Sequence, residues 1–178
     1  MAAGARRYDP DRRQRIIDAA IRVVGAKGIA GLSHRSAAAE ADVPLGSTTY
    51  HFKTLDDLLV AALRQASEAY APALVLREGE DLAGALARLL GEALEADRGR
   101  VELEYELYLA ALRRPALRPV AARWCESVAD ALAEHTDPLT ARALVAVMDG
   151  ISLQVLLTGT PYEEGPAREI LTRVLHPA

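Results

Sequence analysis

Helical spacing of apolar residues runs through almost the whole chain, and strand signals are nearly absent. No sustained alternation of β-branched and polar residues occurs, and no Asn-Gly or Asp-Gly pair separates two apolar runs. The punctuation divides the pattern into about nine helices. Asp9 and Pro10 suit an N-cap and first helical position. Ile17, Ala20, Ile21 and Val24 follow, and Gly28 ends the segment. Ser33 caps a short helix with Ala37, Ala38 and Ala41 facing inward; Asp42, Val43 and Pro44 break it. A second short helix is expected from about Pro44 to Tyr50. Thr54 to Asp57 has the form of a capping box and opens a long helix through Leu58, Leu59, Ala62 and Leu63. Pro72 is expected to kink or shorten it.

The second half repeats the style. Asp81 caps a helix carrying Leu86, Leu89, Leu90 and Leu94. Another is expected from about Gly99 to Arg113, with Tyr105, Tyr108, Leu109 and Leu112 on one face. After Pro115 comes a helix with Leu117, Ala121, Trp124, Val128 and Leu132. Asp137 and Pro138 open one reaching about Thr158, and a last short helix ends near Leu175. The fold class is therefore all-α, with two short helices near the N-terminus and a larger helical remainder.

Charge sharpens that division. The chain carries −4 overall, but residues 1–53 hold nine Lys and Arg against five Asp and Glu, a net +4, while residues 54–178 stand at −8. A basic head on an acidic protein suits a polyanionic partner. A basic arm without a partner gives the same count. About half of the residues (51%) are hydrophobic, enough for a sizeable core. No apolar run is expected to approach the roughly 18–20 residues of a membrane span, and residues 1–15 lack the apolar segment of a signal peptide, so a cytoplasmic protein is expected. Cys125 is the single cysteine, which excludes an intrachain disulfide and a cysteine-based zinc cluster.

Two short helices joined by a tight break and preceded by a packing helix form a helix-turn-helix. The second, "GSTTYHF" at residues 46–52, is dense in hydroxyls and has little to bury. Such a segment fits a major groove: Ser47, Thr48 and Thr49 can reach phosphates or base edges, and Gly46 permits close approach. Leu45, Tyr50, His51 and Lys53 extend the candidate DNA-facing set, and Ser33, His34 and Arg35 join it from the start of the preceding helix. Each has a plainer alternative. His51 can pack within the head, Arg35 and Lys53 can be solvated charges, and Phe52 reads as a core plug.

Residues 31–59, "GLSHRSAAAEADVPLGSTTYHFKTLDDLL", resemble the N-terminal signature of the tetracycline-repressor (TetR) family at Ala38, Ala41, Val43, Gly46, His51, Phe52 and Leu58. The resemblance implies a helix-turn-helix DNA-binding domain over 1–53. It also implies an effector-binding and dimerisation domain over 54–178, joined in a homodimer that a small molecule releases from a pseudo-palindromic operator. The sequence departs from the signature at four positions. Asp42 stands for the usual Gly, Pro44 for a capping Ser or Thr, Thr49 for a phosphate-binding Tyr, and Leu55 for a frequent Lys.

Residues 138–158 hold only two charged side chains, Arg142 and Asp149, so the helix needs cover on both sides. A second copy is the simplest cover, with Val145, Met148, Gly150, Ile151 and Val155 expected at the twofold interface. Tyr105, Tyr108, Trp124, Cys125, Met148 and Gln154 are candidate walls of an effector cavity, with ordinary core packing as the alternative. Glu102, Glu104 and Glu106 read as solvated or salt-bridged charges. His34, His51, His135 and His176 form no spaced metal-ligand pair, no catalytic constellation is present, and no cofactor is implied. Two other readings remain open on the residues: a helical binding or adaptor protein without DNA affinity, and a helical enzyme.

Overall fold

The computed structural model describes residues 9–69 and 76–176. Among them are nine α-helices and no strand: α1 (Arg12–Lys27), α2 (His34–Glu40), α3 (Leu45–His51), α4 (Leu55–Ala69), α5 (Leu82–Ala96), α6 (Arg98–Leu109), α7 (Arg118–Ala133), α8 (Pro138–Thr158) and α9 (Glu164–Leu175). The kink expected at Pro72 lies outside the described residues. The chain divides into two compact units, Met1–Ala62 and Leu63–Ala178. The division falls inside α4, further along than the expected start of that helix.

In the first unit, α1 begins two residues later than the Asp-Pro pair suggested. Asp9 accepts from the Asp11 amide at 3.2 Å and pairs with Arg12 and Arg15, so its carboxylate is committed outside the helix. Ser33 and Ser36 form a reciprocal capping box at the head of α2. Ser36 N–H donates to Ser33 Oγ at 3.0 Å and Ser33 N–H donates to Ser36 Oγ at 2.8 Å. At the other end Asp42 turns left-handed, with φ 52°. The Asp42 amide donates to Ala39 O and the Val43 amide to Ala38 O, the paired bonds of a Schellman stop. An aspartate tolerates this conformation better than most residues, which is how the turn survives without glycine. Ile16, Ile17, Ala20 and Val24 of α1 are buried, as are Ala37, Ala38 and Phe52. The capping box read at Thr54–Asp57 is present, with bonds of 2.9 and 3.1 Å.

The second unit is a helical body with a buried core. Leu86 and Leu90 of α5, Leu132 of α7, Ala141 and Leu144 of α8, and Ala167 and Leu171 of α9 meet there. Removing each large side chain from water contributes about 1.5–3 kcal/mol. Asp81, Asp97 and Asp137 each cap a helix by accepting a backbone N–H. Gly159 ends α8 in the left-handed conformation, φ 70°. Gly91 admits the Tyr162 ring so closely that a Cβ would sit 2.8 Å from it. The Tyr162 phenol then donates to Ala87 O at 2.6 Å. Arg98, the first residue of α6, donates to the carbonyls of Val155 and Leu156 near the end of α8 at 3.0 and 3.1 Å. Helix α6 stops at Leu109, before a 3-10 turn over Ala110–Leu112. Leu112 is therefore exposed and does not share a face with Tyr105 and Tyr108 as a helix running to Arg113 would have placed it.

Candidate functional sites

Each unit carries one candidate site. In the head it is the outward side of α3. Pro44 precedes the helix without a side-chain cap. Leu45, Gly46, Thr49, Tyr50 and Lys53 are exposed, Ser47 and His51 half-buried. A Cβ at Gly46 would meet nothing within 4 Å. Tyr50 is 82% exposed, and its ring meets the His51 imidazole edge-on at 5.1 Å. From α2, Ser33 and Arg35 are exposed and His34 half-buried.

Thr48 is a correction. The expectation put its hydroxyl at DNA, but the residue is fully buried. Its Oγ1 donates to Leu45 O at 2.8 Å and lies 3.4 Å from His34 O. Helical periodicity turns position 48 toward the core while 45, 46 and 49 point away. The methyl and hydroxyl together make it a peg holding α3.

The head's cations sort into two groups. Arg12 and Arg15 pair with Asp9, and Arg22 with Glu40. Arg13 lies over the Phe52 ring, 5.2 Å from its centroid. Among the described residues no ion pair engages Arg35 or Lys53, both beside the short helices.

The body holds a cavity of about 420 Å³ walled by α4, α5, α6, α7 and α8. Tyr105, Tyr108, Trp124 and Met148 line it among aliphatic side chains. Cys125 and Gln154 do not. Cys125 sits behind the lining, its Sγ 2.9 Å from Tyr108 Oη, because the residue after Trp124 is carried about 100° round α7. Gln154 is exposed on α8. Burial, first, and the bond to Cys125 both raise the Tyr108 phenol above its ordinary range.

The charged lining is what sequence reasoning missed: Glu92, Glu104 and Asp149 against a single Arg100. Glu104, expected as a solvated or salt-bridged charge, is salt-bridged, with Arg100 Nη1 at 3.2 Å, but its side chain is only 16% exposed and lines the cavity. Burial outweighs that guanidinium and, with a smaller push from Asp97, lifts the carboxyl to about 7. Asp149 is also raised by burial, against the opposing hydrogen bond from Tyr105 Oη at 2.9 Å. A sequence signal existed for Asp149, one of two charges in an otherwise apolar helix. The alternation of Glu102, Glu104 and Glu106 concealed Glu104.

On α8 the expected interface set also needs correction. Val145 and Met148 line the cavity, and Ile151 packs on the body core, so these three face inward. Val155 is half-buried. The uncovered side is a stripe of Leu139, Ala143, Ala146, Gly150 and Leu157. Leu139 and Leu157 are 78% and 82% exposed, and nothing lies within 4 Å of a Cβ at Gly150. Contrary to the sequence expectation, this 21-residue helix is long and apolar enough to cross a membrane by length and composition, with a mean hydropathy of 1.5 over its best window.

A helix-turn-helix head and a helical body with a partly open, partly charged cavity are the parts of a ligand-responsive DNA-binding regulator. Residues 77–177, more than half of the chain, match the model of the tetracyclin repressor-like C-terminal domain, and the chain belongs to the TetR family. The multidrug binding protein EbrR complexed with imidazole is 72% identical, with 96% of this chain and 98% of that one covered and a TM-score of 0.87. EbrR has also been solved with ethidium, proflavin and malachite green. A TetR-family member from Streptomyces coelicolor A3, SCO1917, is 73% identical over 93% of this chain and 99% of that one, with a TM-score of 0.83. The nicotine-responsive transcriptional repressor HdnoR of Paenarthrobacter nicotinovorans is 29% identical over 81% of this chain and 83% of its own length. This chain is thus a DNA-binding, ligand-responsive transcriptional regulator and not an enzyme.

Proposed function

We propose that the protein is a homodimeric repressor in the cytoplasm that leaves a pseudo-palindromic operator when an aromatic cation enters the body cavity. The observation that carries the effector class is the lining: three carboxylates and one guanidinium among tyrosines, a tryptophan and aliphatic side chains. An aromatic wall favours planar rings and the acidic excess favours positive charge. The dyes solved with EbrR are of that kind.

The uncovered stripe on α8 supports the dimer, since a second copy related by a twofold would bury Leu139, Ala146, Gly150 and Leu157 against themselves. Two heads would then read half-sites about 34 Å apart, with Leu45, Gly46, Ser47, Thr49 and Tyr50 toward the groove and His51, Lys53, Ser33, His34 and Arg35 toward phosphates. Release is a population shift: the ligand favours a disposition of the heads that does not fit adjacent grooves.

The test is fluorescence anisotropy of labelled DNA from upstream of the gene, titrated with protein at several salt concentrations, then with malachite green. Binding that weakens steeply with salt and reverses with the dye supports the proposal. An Asp149→Asn chain serves as the control for dye acting on DNA alone. Salt-insensitive binding, or release equal in both chains, overturns it.

A further inference from the structure

Four charged groups share the cavity, and they are unequal. On α6, Glu104 faces Arg100, with Tyr105 and Tyr108 on the same helix and Asp97 at its N-cap; α5 contributes Glu92 and α8 contributes Asp149. Helix α7 contributes Trp124 and Ser127 but no charge to the lining, and α4 contributes only Ser67 as a polar group. Asp149 has a phenol donor in Tyr105 at 2.9 Å. Glu92 is half exposed and paired with Arg77 and Arg88. The Glu104 side chain is largely buried, 16% exposed, and has no phenol donor. Its only cation is Arg100, itself 37% exposed and therefore partly solvated. Glu104 and Asp149 cannot both stay ionised cheaply beside one guanidinium; burial raises both, and the one without a phenol donor takes the proton first.

We propose that Glu104 is the residue that selects cations in this cavity, and that it does so by exchange: it holds a proton while the cavity is empty and yields that proton to solvent when a cationic effector enters. The inference rests on the reading that the effector is an aromatic cation. Charge balance requires only the exchange of one proton for one positive charge. A neutral ring gains nothing from the exchange, so it does not displace the proton. Burial lifts the Glu104 carboxyl to about 7, so the exchange falls near neutral pH. Asp149, held by its tyrosine, supplies a second point of attraction.

Isothermal titration of the full chain with ethidium, a permanent cation, tests this at pH 6, 7 and 8 in phosphate and in Tris, which differ in ionisation heat. Affinity should rise about tenfold from pH 6 to pH 8, with about half a proton released per ligand at pH 7. In Glu104→Gln the affinity should be flat with pH and the heat equal in both buffers. Asp149→Asn should keep the buffer dependence while binding more weakly, a check that does not depend on the first variant folding. Ethidium binding without pH or buffer dependence in the native chain overturns the exchange and leaves the cation reading intact. Buffer dependence that survives Glu104→Gln also overturns it. No ethidium binding at any pH removes both.

Discussion

The head and the body place their polar side chains in opposite directions. In the head the hydroxyls, amides and cations of α3 and its neighbours face out, and a single hydroxyl, Thr48, is drawn inside with its donor satisfied. In the body the outward stripe of α8 is apolar, and carboxylates of α6 and α8 face the cavity. Outward polar groups cost little when the partner is absent, because water solvates them. Inward carboxylates raise the energy of the empty state, and two of them show it by holding protons more tightly than free side chains do. A DNA-facing surface can wait in water; the cavity holds two carboxylates whose charged form burial disfavours even with their partners in place.

The largest effect is expected where the contrast is reversed in the head. Gly46→Glu puts a negative charge on the outward face of α3 where space is open. Operator affinity should fall about a hundredfold, near 3 kcal/mol, with the melting temperature nearly unchanged. A drop in melting temperature of comparable size would mean that the position belongs to the core. Next is the matching change in the body. Asp149→Asn keeps an acceptor for Tyr105 but removes the charge. Ethidium affinity measured by titration should fall about tenfold, roughly 1.4 kcal/mol, while thermal stability at pH 8 rises; unchanged affinity would take Asp149 out of the site.

Thr48→Val comes third. It keeps the buried shape and loses the bond to Leu45 O, so denaturant unfolding should show a loss of about 1 kcal/mol, and operator affinity measured above the folding threshold should stay the same. A loss of affinity without a loss of stability would restore Thr48 to the DNA-facing set. The smallest effect is expected at the turn. Asp42→Gly relieves a left-handed non-glycine residue and should raise stability by up to about 1 kcal/mol, readable as a small upward shift in melting temperature.

Local signals were legible wherever the chemistry was local. Ser33, Thr54, Asp81 and Asp137 cap the helices they announce, and Asp42 takes the left-handed turn that the departure from glycine required. The same Asp-Pro pair nevertheless behaved differently at its two occurrences. Asp137 accepts from the amides of Leu139 and Thr140 and starts α8. Asp9 is claimed by Arg12 and Arg15, and α1 starts at Arg12. Competition from neighbours one turn away decided it, and propensity does not carry that. In the candidate sites, aromatic residues spaced along α6 and α7 pointed to the cavity. Cys125 and Gln154 did not belong to it, because the rotation of each helix is set by packing between helices distant in sequence. Glu104 was illegible for the same reason. Whether a glutamate on a charge-rich helix meets water or a cavity depends on what α5 and α8 bring opposite it. For α8, the excess of apolar residues was visible, but which side its own body takes was not.

Thr48 is the one α3 side chain fully committed to the interior. The neighbouring positions 45, 46, 49 and 50 are exposed, so substitutions there should disturb the architecture of the head far less than one at Thr48. A descendant of this gene could switch to a different regulatory sequence by point changes at those four sites, acquiring new targets without first having to solve a folding problem.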